Sequence, residues 1–204
     1  MTRLYAILAA GAVASGLAGL FAYVMIHRVD DPLAECRQGQ IAGGDIGGPF
    51  TLVNPKGETV TDAEVLKKPA LIYFGYTFCP DVCPLDASRN ADAVDLLKER
   101  GLDVTPVFIS IDPERDTPQV LRDFAANIHP QMIGLTGSAD QVKAASTAYR
   151  TYYKKQETGD AYYLMDHSTF TYLVLPKVGF VDFFRRETTP AEMADRVACF
   201  ADAQ

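Results

Sequence analysis

Basic residues are in short supply in this chain: 19 Lys and Arg stand against 26 Asp and Glu, a formal charge of −7 over 204 residues. All 26 acidic residues and 17 of the 19 basic ones follow Arg28. Nucleic-acid binding needs basic patches that displace counterions, so no nucleic-acid partner is expected. The acidic balance serves solubility or a basic partner surface. There is no internal repeat and no low-complexity tract. Thiol and imidazole side chains are scarce too, with three His and four Cys in all.

Charge is missing altogether from Leu4 to Ile26, a run of 23 residues. A helix of that length can cross a ~30 Å hydrocarbon layer. A cleavable signal peptide has an apolar region of only ~7–15 residues followed by small residues, whereas this run continues through Phe21, Tyr23 and Met25. The expectation is an uncleaved N-terminal transmembrane anchor over residues 1–28. No cysteine follows in a lipoprotein-like context, and no Arg- and Ser-rich transit segment precedes it. Flanking charge barely orients the run, with Arg3 before it and Arg28 after it. Four cysteines suit an oxidising compartment. The expected placement is therefore a single-pass bacterial inner-membrane protein, N-terminus cytoplasmic and the remainder periplasmic. Residues 29–48 read as a Gly-rich tether and lead-in, and residues 49–204 as one domain.

Within that domain the hydrophobic pattern alternates strands and helices. "PFTLVNPKGETV" reads as a hairpin around an Asn-Pro-Lys-Gly turn. "ALIYFGYT" (70–77) is the apolar run of a strand buried on both faces. A helix follows through "LDASRNADAVDLLKER" and stops at Gly101. "VTPVFISID" is a second strand, and Thr117-Pro118 opens a helix ending near His129. "MIGLT" is a short strand, and Ser138 caps a helix through about Tyr152. "STFTYLVL" and "GFVDFFRR" form a hairpin, and Thr189-Pro190 starts the last helix. This order predicts an α/β, thioredoxin-like sandwich of the peroxiredoxin-like variant.

The chemistry concentrates in "GYTFCPDVCP" (75–84), where strand hands over to helix at the carboxyl edge of the sheet. A helix N-terminus beside Cys79 and Cys83 favours thiolate, the form that binds metal and exchanges disulfides. Two thiolates alone do not complete a site. His167 in "LMDHSTF" stands at the entry to a strand neighbouring the first core strand, so it is the candidate third ligand. Two thiolates and an imidazole form a soft set suited to copper, Cu(I) or Cu(II). Asp166 is a candidate partner for the imidazole ring; Asp112, at the same sheet edge as the cysteines, is a weak candidate for support of the site or for partner docking. Cys36 and Cys199 are expected to form a structural disulfide pinning the ends of the domain together.

"GYTFCPDVCP", "SIDPERDTP" (110–118) and "DHSTFTYLV" (166–174) together resemble the Sco/SenC family of membrane-anchored copper proteins. The likeness runs in order from about residue 46 to 202. It implies a thioredoxin-like fold and one copper per chain on Cys79, Cys83 and His167. It also implies a metallochaperone role in assembling the binuclear copper site of cytochrome c oxidase subunit II, with other periplasmic copper carriers as further partners. The alternative is a thiol–disulfide oxidoreductase that reduces the target's cysteines, with Cys79 and Cys83 as its redox pair. A peroxidase is disfavoured, because the paired, proline-flanked cysteines are unlike a lone peroxidatic thiol.

Overall fold

The computed structural model describes residues 2–26, 33–37, 46–157 and 162–203. It divides into two compact units, Met1–Ala34 and Glu35–Gln204. The first contains the helix α1 (Thr2–Ile26). Among the described residues no helix is long and apolar enough to cross a membrane, which overturns the expected anchor. The run is helical and uncharged, but seven Ala, three Gly and a Ser supply little apolar surface. A run without charge is not by that alone strongly apolar. The single-span topology goes with it, and most of the expected tether, residues 29–32 and 38–45, lies outside the described residues.

The second unit opens with a two-stranded hairpin, β1 (Thr51–Val53) and β2 (Thr59–Thr61), and a single helical turn, α2 (Asp62–Val65). Then come β3 (Ala70–Gly75), α3 (Val82–Glu99), β4 (Thr105–Ser110), α4 (Pro118–Ile128), β5 (Ile133–Leu135) and α5 (Ala139–Ala148). A second small hairpin, β6 (Tyr153–Lys155) with β7 (Met165–His167), precedes β8 (Thr171–Leu175), β9 (Gly179–Phe184) and α6 (Pro190–Asp202). The main sheet has the order β5-β4-β3-β8-β9. β3 runs parallel to β4 and antiparallel to β8, and every residue of β3 is buried. This is the thioredoxin-like arrangement the alternating pattern predicts.

Local chemistry sets the helix boundaries. Thr117 Oγ1 accepts from the Val120 N–H, with Pro118 in the first turn. Ser138 with Gln141, and Thr189 with Glu192, form capping boxes. α3 stops where Gly101 takes a φ of +81°. α5 ends at Ala148, short of the expected Tyr152: Arg150 takes a φ of +52° and the chain enters β6 at Tyr153.

Cys36, at the end of a 3₁₀ turn, is joined to Cys199 in α6, with Cα atoms 5.7 Å apart. The two halves of the pair are 163 residues apart in sequence.

Candidate metal centre

β3 delivers the chain to the site, and its last residue is glycine for a packing reason. A Cβ on Gly75 would lie 2.8 Å from Tyr73 Cε1, 3.0 Å from Phe108 Cζ and 3.1 Å from Cys83 Sγ. Glycine therefore lets the Cys83 sulfur settle against the strand. Gly75→Ala is expected to cost about 1–3 kcal/mol as an overpacked core position and to push Cys83 off the strand. Thermal unfolding, with copper uptake measured alongside, checks both effects.

The turn from Tyr76 to Asp81 is braced from below. Asp116 is fully buried, and its carboxylate accepts from the Thr77 N–H at 3.0 Å, the Thr77 hydroxyl at 2.5 Å and the Ser110 hydroxyl at 2.5 Å. Burial pushes the Asp116 carboxyl above its ordinary range, and the Ser110 and Thr77 hydrogen bonds oppose that rise. These bonds fix the residue two places before Cys79.

Cys79 and Cys83 straddle the start of α3. The Cys83 N–H donates to Cys79 Sγ at 3.4 Å, so a sulfur serves where an N-cap oxygen usually does. A hydrogen bond from the Cys83 thiol holds the Cys79 pKa down, to about 5, against the opposing effect of burial, and backbone N–H groups of Asp81, Val82 and Cys83 assist. Cys83 is pushed up by the same shared proton and by burial. One thiolate and one thiol thus share a proton at the helix N-terminus. Cys79, 8% exposed, should be alkylated by iodoacetamide with a half-maximal rate near pH 5, while Cys83, at 0%, stays unmodified. Mass spectrometry of the peptide across pH 4–8 reads this directly.

His167 ends β7, paired with Tyr153 across the small hairpin. Its Nδ1–H donates to the Ser168 carbonyl at 2.8 Å, and Nε2 faces Cys83 Sγ at 3.3 Å. With Nδ1 occupied, the Nε2 lone pair is the one left for a ligand. Tyr73 and Tyr76 meet the imidazole edge to face, with centroids 6.2 and 5.8 Å away. The ligand atoms of Cys79, Cys83 and His167 all lie within 4.8 Å of one another, a group that could hold a metal ion.

The two carboxylates expected beside the site sit elsewhere. Asp166 is exposed and accepts from Gln156 Nε2 at 2.7 Å, while the Ser168 carbonyl orients the ring. Successive strand residues point to opposite faces, so adjacency to His167 turns Asp166 away. Asp112 is buried and accepts from the Tyr163 hydroxyl at 2.8 Å and from Arg115 Nε. Arg115 in turn lies over Tyr163 and Phe78, 3.6 and 4.5 Å from the ring centroids. The Asp112 carboxylate thus meets the rim of the site through a cation stacked on aromatics. Gly75, Tyr73, Tyr76, Asp116 and Ser168 were not expected. Only Gly75, a glycine closing an otherwise apolar buried run, carries a visible sequence signal.

This geometry can be set beside known proteins. Residues 38–202 match the family described as SCO1/SenC. Protein SenC of Rhodobacter capsulatus is 54% identical over 200 residues, covering 97% of this chain and 90% of the relative. The crystal structure of Arabidopsis thaliana ScoI with copper bound superposes with a TM-score of 0.73 at 43% identity, covering 77% of this chain and 99% of that one. BsSco, described as a member of the Sco family of cytochrome c oxidase assembly proteins with a disulfide switch, superposes with a TM-score of 0.63 at 26% identity. It covers 82% of this chain and 98% of its own. With the Cys-x-x-x-Cys turn and the facing histidine in place, the chain belongs to the SCO1/SenC family.

Proposed function

We propose that this chain is a copper carrier of cytochrome c oxidase assembly, taking one ion through Cys79, Cys83 and His167. The domain over residues 49–204 holds the site, and the receiving protein is subunit II of the oxidase, at its binuclear copper centre. The observation that carries the reading is the 3.3 Å approach of His167 Nε2 to Cys83 Sγ, with Nδ1 already satisfied. A dithiol reductase has no need of an imidazole aimed at its thiols. The donor set fits the cargo, since thiolates favour Cu(I) and imidazole accommodates Cu(II) as well. The Cys36–Cys199 disulfide favours an oxidising compartment, the periplasm in a bacterium.

The lowered pKa of Cys79 favours a second reading, thiol–disulfide exchange with the target. There the Cys79 thiolate attacks a target disulfide, Cys83 resolves the mixed disulfide, and the target leaves with two thiols. Oxidase activity at limiting copper separates the two readings. In strains carrying Cys79→Ser, Cys83→Ser or His167→Ala, copper delivery requires all three to lose activity. Normal activity in the His167→Ala strain, with both cysteine strains deficient, would leave the reductase reading standing alone.

A further inference from the structure

Tyr73 lies in the middle of β3, 1% exposed, where its hydroxyl must find a partner. It donates to Asp86 Oδ2 at 3.0 Å. Asp86 is itself 3% exposed and stands one turn beyond Cys83 on α3. Its other oxygen accepts from Arg186 Nε at 3.3 Å, and the Arg89 guanidinium lies 3.7 Å away. Arg89 is fixed in turn by the Thr171 hydroxyl and the Arg185 carbonyl. The phenol is therefore anchored to a carboxylate that two cations hold still.

Its ring is part of the site. Tyr73 Cε1 and Cys83 Sγ crowd the same point above Gly75, and the ring meets His167 edge to face. A phenylalanine would fill this core position without a buried hydroxyl to satisfy. We propose that Tyr73 is a positioning residue: anchored by Asp86, its ring holds Cys83 Sγ toward His167 and away from closure onto Cys79. Releasing the ring lets the sulfur turn, which favours the Cys79–Cys83 disulfide over the dithiol.

The test uses the full chain equilibrated with glutathione. The protein dithiol gives two electrons and two protons to glutathione disulfide; the Cys79–Cys83 bond forms and two glutathione thiols leave. Tyr73→Phe should move this equilibrium at least tenfold toward the protein disulfide, about 30 mV for a two-electron couple. Asp86→Ala, which removes the acceptor, should do the same. Asp86→Asn keeps an acceptor oxygen and should stay within about threefold of the parent, as expected for a single retained hydrogen bond. A role in packing alone would lower the thermal midpoint and leave the equilibrium in place. A shift below tenfold in either Tyr73→Phe or Asp86→Ala overturns the proposal, as does an Asp86→Asn shift equal to that of Asp86→Ala. If Tyr73→Phe fails to fold, the contrast between the two Asp86 variants decides alone. A second readout, the thiolate-to-Cu(II) absorption of Tyr73→Phe, rests on the copper reading. Were the parent to take up no copper, that reading would fall while the glutathione equilibrium still judged Tyr73.

Discussion

Replacing Cys36 and Cys199 together with Ser is expected to lower the unfolding free energy by about 3–5 kcal/mol. The bridge joins residues 163 apart in sequence, and a loop that long removes a large share of the unfolded chain's freedom. Beside the bridge, Arg37 Nε donates to the Val181 carbonyl at 3.3 Å, and Leu33 and Cys36 are buried. α6 is better secured. It buries Met193, Ala194, Val197 and Phe200 and packs on α3, so it should stay docked without the bridge. The reduced fold should thus survive, with a thermal midpoint on the order of 10 °C lower. Calorimetry of the double variant, with Cys79 and Cys83 kept reduced, measures it. A midpoint within about 2 °C of the parent, less than 1 kcal/mol for a chain of this size, would mean that loop closure contributes nothing here. Copper uptake should be unaffected, since the bridge shares no side chain with the site.

What sequence alone disclosed, and what it hid, follows the range of the interactions involved. β3 was readable because six consecutive apolar residues fit a strand buried on both faces. The starts of α4, α5 and α6 were readable because Thr-Pro and Ser act on backbone N–H groups within one turn. The cysteine pair was readable from its spacing at the strand-to-helix junction. The β6–β7 hairpin was not, since its three-residue strands show no period and stand nine residues apart, without the tight Asn-Pro-Lys-Gly turn that marks β1 and β2. His167 could therefore be named as a ligand without knowing what carries it or what turns its ring. The Ser168 carbonyl leaves no trace in the sequence, because every residue has one. Asp166 misled for the converse reason: it is conspicuous in the sequence, and the pleat points it away. Asp116 reads in the sequence only as part of a helix start, although two of its hydrogen bonds reach Thr77 in the turn before Cys79 and a third reaches Ser110 at the end of β4. The N-terminal run misled through composition, its missing charges standing out more than its small side chains.

Replacing His167 with Ala is expected to weaken Cu(II) far more than Cu(I), if copper is the cargo. Cu(I) is satisfied by two soft donors, and Cys79 and Cys83 supply them within one turn of α3. Cu(II) favours a tetragonal arrangement and gains more from imidazole nitrogen. In this fold the nitrogen is delivered ready oriented, its tautomer set by the Ser168 carbonyl and its ring held between Tyr73 and Tyr76. Losing a partner behind a ligand typically costs 10–100-fold in metal affinity, so losing the ligand itself should cost Cu(II) at least about 100-fold. Cu(I) affinity, measured by competition with a chromophoric chelator, should fall by about tenfold or less on the same scale. The thiolate-to-Cu(II) absorption should disappear in His167→Ala while the Cys79–Cys83 disulfide still forms. Cys79→Ser and Cys83→Ser should lose both oxidation states of copper and the disulfide together. Equal losses of Cu(I) and Cu(II) in His167→Ala would mean that the imidazole shapes the pocket for the thiols rather than binding the ion. The 3.3 Å approach of Nε2 to Cys83 Sγ would then be a hydrogen bond and nothing more.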